Sequence, residues 1–442
     1  MSAPATAQRN SDVASAVAEA RARYVAARPA SAALHREAVA VLPGGNTRSV
    51  LAYGPFPTAM ARGEGCRLWD IDGREYLDLC GEYTAGLFGH SDRRIQAALQ
   101  AALARGLNLA AVGEAEVRLA QILCRRFASI ERVRFANSGT EANLMAVTAA
   151  RAFTGRPAIM AFRGGYHGGV LTFPLSGTSP AVAPYPVVLA DYNDAGGAVA
   201  LIRAHVKDLA AVLVEPMLGS GGCIPAHADF LRALREATQE AGALLILDEV
   251  MTSRMSAGGQ QARLGLAPDL TTLGKYVAGG MSFGAFGGRA DVMDAFGGPI
   301  PHAGTFNNNV LSMAGGVVAM GEVFDDAAAD ALFARGEALR ERLNALCRKA
   351  GVPMVFTGLG SLLCPHFGDG PFDRPVAPTP VVDGLRELFF FDMLEAGIYL
   401  ARRGMAALSL PVSGAELDRY ANAVADFLTL RGPLLQDARI AA

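Results

Sequence analysis

Lys275 is the only charged side chain between Asp269 and Arg289, in the stretch LTTLGKYVAGGMSFGAFGGR. An ammonium among Gly, Ala, Val, Phe and Met is poorly solvated, so its neutral, nucleophilic form becomes accessible. Such an amine can form a Schiff base with an aldehyde. A lone lysine in a Gly-rich loop more often snorkels to water, so its neighbours in the fold must decide between the two.

Four further loops follow short apolar strands. After RVRFA comes Asn137-Ser138-Gly139-Thr140, directly before the helical segment EANLMAVTAARAF. Small residues at a helix N-terminus offer free N–H groups and the positive end of the dipole to a phosphate, although Ser138 also suits a plain N-cap. After PAIMAF comes RGGYHGG, with Tyr166 and His167 between Gly pairs. An aromatic held there can stack on a flat ring, or simply occupy a surface turn. Glu215 follows AAVLV, and Asp248-Glu249-Val250 closes LLIL. Carboxylates at a strand end also suit a nucleotide hydrolase, but no G-x-x-x-x-G-K-[ST] is present: Gly274-Lys275 is followed by Tyr276, and residue 269 is Asp.

Taken together, these residues match what pyridoxal 5'-phosphate requires. Lys275 would hold the aldehyde as an imine, and Ser138, Gly139 and Thr140 would hold the phosphate. Asp248, 27 residues before the lysine, would keep the pyridine nitrogen protonated, making the ring an electron sink.

The elements that must position these groups alternate between strand and helix over the middle of the chain, which predicts an α/β fold with a mostly parallel sheet covered on both faces. In such sheets ligands sit at the carboxyl ends of the strands. Before it, residues 11 to 28 predict a helix opened by Ser11 and Asp12 and stopped before Pro29. CRLWDIDGREYLDL predicts a hairpin around Asp72-Gly73, and two helices are expected near 92 to 105 and 113 to 127. Arg48 is the charged residue of VLPGGNTRSVLAYGPFP; it suits a solvated loop, or a planar fork presented to a carboxylate. After Phe324 the spacing predicts a helix over 325 to 350, two strands around a Gly turn in VPMVFTGLGSLLCPHF, a helix ending at Gly397 and a last helix opened by the capping-box pair Ser413 and Glu416.

Composition narrows the partners. The 442 residues are 51% hydrophobic and 19% charged, with 40 basic and 42 acidic residues mixed along the chain, so no footprint for nucleic acid or anionic lipid appears. A small-molecule partner is expected. Six scattered Cys without a Cys-x-x-Cys pair argue against a disulfide framework and a zinc site. The absence of an apolar h-region or a bilayer-length run argues for a cytoplasmic protein without a membrane partner.

The stretches NSGTEAN, GGYHG, LDEVMTSR, PDLTTLGKYVAGGMSFGAFGGR and GTFNNN closely resemble the class III, fold-type I aminotransferases, in the branch shared by glutamate-1-semialdehyde aminomutases and β-phenylalanine (β-amino acid) aminotransferases. The resemblance runs from about Ala32 to the last helix. It implies a homodimer with its active site at the interface, a large domain with a seven-stranded type of sheet over residues 76 to 325, and a small α+β domain assembled from residues 1 to 75 and 326 to 442. It also implies roles: Lys275 as the Schiff-base and proton-shuttling lysine, Asp248 on the pyridine nitrogen, Val250 under the ring, Tyr166 over it, and Thr305 reaching the phosphate from the neighbouring subunit. Glu215, Met251 and His167 fall near the cofactor.

Two departures separate the branches. Where aminomutases carry a Ser-Gly-Asn-Pro run, this chain has Asn307-Asn308-Asn309, and where they carry a Ser-Gln-Phe-Glu-like segment it has YLARRGMAALSL. Both are similar to the β-phenylalanine type, in which the residue matching Arg48 binds the β-amino acid carboxylate and the arginine matching Arg403 holds that of the keto acid; Arg402 competes for the inward position. Tyr83 and Phe56 are candidates for an aryl pocket, with core packing as the equal alternative. The expected function is ping-pong transamination of an aromatic β-amino acid with 2-oxoglutarate or pyruvate; the alternative is an aminomutase, which needs no acceptor.

Overall fold

The computed structural model describes residues 12–177 and 179–437. Its centre is a seven-stranded sheet in the order 132–136, 284–288, 270–274, 244–248, 209–214, 158–162, 187–190. Every neighbouring pair is parallel except the two made by 284–288, which runs antiparallel between its neighbours. Side chains of a strand alternate between faces, and the strands here are apolar on both. Leu245 and Leu247 enter a core with Phe230, Leu231 and Leu234 of the helix Ala228–Ala241. Leu244 and Ile246 enter another with Ala142, Ala146 and Ala150 of the helix Gly139–Thr154. Burying both faces leaves the strand ends as the place for polar side chains.

Around this sheet the chain ends are joined. The hairpin strands Arg67–Asp70 and Glu75–Asp78 pair as expected, with Met60–Glu64 as a third strand and Ile398–Tyr399 added in parallel from the far end of the sequence. A separate three-stranded sheet is formed by Met354–Leu359, Leu362–Phe367 and Ala406–Ala407. The helix Val13–Ala27 starts at Asp12, whose carboxylate accepts from Ser15 N at 2.8 Å, and packs on the helix Pro380–Glu395 through a Tyr24–Phe391 ring contact at 5.1 Å; Ser11, the other expected cap, lies outside the described residues. Pro29 does more than stop this helix. It opens a second one, Pro29–Val41, because a residue without an N–H suits the first helical position, and Asp72 in the hairpin turn accepts from Ala30 N and Ser31 N at 2.7 and 3.0 Å. The last helix, Gly414–Asp437, has its expected capping pair: Glu416 accepts from Ser413 N at 3.0 Å.

The two carboxylates after LLIL separate completely. The strand ends at Asp248, and Glu249 turns into the protein, fully buried. Its oxygens accept from Gln260 N and Gln261 N, both at 2.8 Å, from Thr252 Oγ1 at 3.0 Å and from Gln261 Nε2 at 3.2 Å. Glu249 therefore pins the start of the short helix Gly259–Leu264 beneath the strand. Replacing it by Ala strands several buried donors, and a loss of roughly 3 kcal/mol in chemical denaturation is expected; a loss within experimental error would show that the segment is held otherwise.

Candidate active site

Asp248 collects the loops. Its Oδ2 accepts from His167 Nδ1 at 2.7 Å and from Asn143 Nδ2 at 2.9 Å, and its Oδ1 accepts from Val250 N at 3.0 Å. A ring nitrogen that faces a carboxylate must carry its proton, so His167 is the Nδ1–H tautomer or the cation. Asn143 is fully used. It donates to the His167 carbonyl at 3.1 Å and accepts from Thr272 Oγ1 at 2.8 Å, tying the helix Gly139–Thr154 to the strand Leu270–Gly274. Three donors thus fix the carboxylate while Oδ1 keeps acceptor capacity. Asn143 was within NSGTEAN but carried no sequence signal of its own, because a helical Asn reads as an unremarkable polar position.

Lys275 is the first residue beyond its strand and takes a left-handed backbone, φ 55°. It is half-buried and makes no ion pair among the described residues. Burial brings its amine down to about 8, reinforced by Arg403 and Arg48 and opposed by Asp248 and Glu215. Glu215 fastens two loops, accepting from Tyr166 N and Gly219 N, both at 3.0 Å. Burial lifts its carboxyl to about 7, with Asp248 adding to the rise and His167 opposing it. Met251 packs on Gly219 so closely that a Cβ there would lie 2.1 Å from its sulfur. Tyr166 leaves its ring 44% exposed, free to cover a ligand.

At the helix start, Ser138 is the N-cap, accepting from Glu141 N at 3.2 Å. Gly139 sits against Val250: a Cβ would meet both valine methyls at 3.1 Å. Thr140 Oγ1 accepts from Gly169 N at 3.2 Å, joining the cradle to the Tyr166 loop.

Tyr83 has two guanidiniums beside it, Arg48 at 5.5 Å and Arg403 at 5.9 Å from its ring centroid. Arg48 pairs with Glu82, and Tyr83 donates to the Val50 carbonyl at 3.0 Å. Of the adjacent arginines, Arg403 faces Tyr83 and Arg402 turns outward toward Glu387 at 3.6 Å. Phe56 takes the core alternative, packed on Tyr24 at 5.1 Å. Thr305 is exposed, in the loop whose Asn307 accepts from Asn137 at 3.0 Å.

Comparison with known proteins agrees with this geometry. The family described as aminotransferase class-III matches residues 50–411. The chain belongs to the class-III aminotransferases. It is 52% identical to the β-phenylalanine transaminase of Variovorax paradoxus over 427 residues, covering 96% of this chain and 98% of that protein. It is 37% identical to a glutamate-1-semialdehyde 2,1-aminomutase of Pelotomaculum thermopropionicum, covering 89% and 96%. Among solved structures, a β-phenylalanine aminotransferase from V. paradoxus superposes with a TM-score of 0.94 at 51% identity, covering 96% of this chain and 99% of that one. The fold is accordingly that of a fold-type I enzyme and the activity a transamination of small molecules. No helix among the described residues is long and apolar enough to cross a membrane.

Class-III aminotransferases work with pyridoxal 5'-phosphate, and the residues present fit it. Oδ1 of Asp248 accepts only from Val250 N and keeps a lone pair for a pyridinium N–H, the first helical N–H groups at Gly139 and Thr140 lack intrahelical acceptors, and the glycine at 139 lets Val250 pack directly against the helix start. A neutral lysine is the reactive one, and an amine brought to about 8 is about one-tenth neutral at pH 7. The rate at which the apoprotein captures pyridoxal phosphate, followed by absorbance, is therefore expected to rise with pH and level off above about 8. A rate still climbing near pH ~10 would mean an ordinary, solvated lysine.

Proposed function

We propose that this aminotransferase takes the amino group from an aromatic β-amino acid such as β-phenylalanine and gives it to a 2-keto acid, 2-oxoglutarate or pyruvate, by a ping-pong route. The observation that carries this is the pair of arginines flanking Tyr83, supported by 52% identity to a β-phenylalanine transaminase. A β-amino acid places its carboxylate one carbon further from the amine than an α-amino acid does. Two guanidiniums beside one ring would give the donor and the acceptor separate anchors: Arg48 for the donor carboxylate, Arg403 for that of the acceptor.

When bound, pyridoxal phosphate supplies the aldehyde and the electron sink. The protein supplies the rest. Asp248, held by His167 and Asn143, would keep a negative charge against the ring nitrogen; Ser138, Gly139 and Thr140 would hold the phosphate; Tyr166 and Val250 would border the ring. Nζ of Lys275 would take the proton from the amine-bearing β-carbon of the substrate. Glu215 and Met251 set the loop that carries this wall, and Tyr83 borders the aryl group. We place Thr305 at the phosphate of a second subunit in a homodimer, which its exposure beside the 56% exposed Phe306 supports, and divide the chain at about residues 76 and 325.

Addition of β-phenylalanine without acceptor to the holoenzyme tests the assignment. The visible band of lysine-bound cofactor is expected to disappear and to return with 2-oxoglutarate, and Lys275→Ala to abolish turnover. Arg48→Ala should raise the donor KM by about tenfold or more, roughly the 1.4 kcal/mol of a lost anchor. An enzyme that ignores β-phenylalanine but converts a glutamate semialdehyde without acceptor would be an aminomutase; an unchanged donor KM would remove Arg48 from the site.

A further inference from the structure

The Tyr166 loop is braced from outside the seven-stranded sheet. Its Tyr166 N–H and that of Gly219 both end on Glu215, at 3.0 Å each, and Gly219 opens the turn of a small hairpin with strands Met217–Leu218 and Ile224–Pro225. Whatever holds the hairpin therefore holds the loop. The hairpin turn is gripped at one atom, the Gly222 carbonyl oxygen, which accepts from Thr357 Oγ1 at 2.8 Å and meets His366 Nε2 at 2.8 Å. These two residues lie on the paired strands Met354–Leu359 and Leu362–Phe367 of the three-stranded sheet.

His366 also holds a second segment. Its ring is buried and stacked on Phe372 at 4.7 Å and 23°. The residues that follow run back to the Tyr166 loop: the Asp373 carbonyl accepts from Asn193 Nδ2 at 2.7 Å, and Pro375 packs on Gly164, where a Cβ would lie 2.8 Å from its Cγ. One imidazole thus sits at the root of both braces. A ring nitrogen that faces a carbonyl must donate, so His366 is the Nε2–H form; burial brings its ring down to about 4 despite the bond to Gly222, leaving it neutral at ordinary pH. The approach is as close as a glycine allows, since a Cβ at Gly222 would lie 2.5 Å from His366 Cε1.

We infer that His366 is a positioning residue for the transamination: by donating to the Gly222 carbonyl and stacking on Phe372, it fixes the loop that carries Tyr166 over the cofactor ring. It acts only through a backbone carbonyl and a neighbouring ring. A cover displaced by a fraction of an ångström releases the cofactor faster and misaligns the bond to be broken, which lowers kcat more than it raises KM. The inference rests on the reading of Tyr166 as the cover of the cofactor ring made above.

Three variants test this. H366F keeps a ring for Phe372 and loses the donor, H366Q restores a donor of similar reach, and T357V removes the other donor to the same oxygen. In H366F the Tyr166 and Gly219 amides of the apoprotein should exchange hydrogen about tenfold faster, the effect of one lost buried hydrogen bond. Cofactor release from the holoenzyme, followed by its visible circular dichroism, should speed up by a similar factor, and kcat should fall while the donor KM stays within about twofold. H366Q should return most of each, and T357V should shift all three in the same direction, which carries the test if H366F does not fold. Lower thermal stability with native amide exchange and native cofactor release would make His366 merely structural and overturn the inference, as would an H366Q no better than H366F. Y166A tells this failure from that of the reading beneath it. If Y166A speeds cofactor release and the His366 and Thr357 variants do not, only the role of His366 falls; if Y166A leaves release and circular dichroism native, the cover reading falls and the role of His366 with it.

Discussion

One oxygen atom, Oδ2 of Asp248, is where the site is tied together. His167 reaches it from the loop after 158–162, Asn143 from the helix after 132–136, and Asp248 itself ends the strand 244–248. Asn143 is held in turn by Thr272 on the adjacent strand. Four segments that end at the same side of the sheet thus meet at a carboxylate that is 4% exposed. A carboxylate so buried is costly unless hydrogen bonds surround it, and those same bonds fix the loops. Electrostatic need and geometric precision have a common origin here.

Lys275 stands in the opposite condition. Among the described residues no hydrogen bond holds its amine, and the surroundings discourage its charge: burial acts first, and Arg403 and Arg48 add repulsion. The two arginines near Tyr83 therefore also help keep the lysine neutral.

What the sequence made legible was what periodicity and turn chemistry encode. Apolar runs gave the strands 132–136, 158–162, 209–214 and 244–248, Asp72-Gly73 gave the hairpin, and Asp12 and Ser413 gave helix starts. Lys275 and Asp248 stood out only in combination with the cradle at Ser138 and the Tyr166 loop, because a lone lysine in a Gly-rich loop more often snorkels to water. The strand Gly284–Gly288 did not, since GAFGG has low β propensity. Its glycines answer a packing demand that appears only in three dimensions: a Cβ at Gly284 would lie 2.0 Å from the Ser138 carbonyl, and one at Gly288 would lie 2.1 Å from that of Asp269. The different fates of Asp248 and Glu249 were also hidden, because adjacent residues beyond a strand end diverge according to the turn that follows. The same holds for Arg402 and Arg403.

The backbone around Tyr83 is strained. Glu82, Tyr83 and Thr84 all have positive φ, at 48°, 53° and 84°, and each such non-glycine residue costs on the order of 1 kcal/mol or more. Three in succession persist only if the surroundings impose them. Asp78 does so from one end, its Oδ1 accepting from Cys80 N and Gly81 N, both at 2.9 Å, while Oδ2 meets His90 Nε2 at 2.9 Å. From the other end the Tyr83 hydroxyl holds the Val50 carbonyl and Glu82 holds Arg48. The Tyr83 ring, which has Arg48 and Arg403 within 5.5 and 5.9 Å of its centroid, is thereby fixed by bonds on both sides of the turn, so the strain of three left-handed residues is offset by the contacts that place the ring.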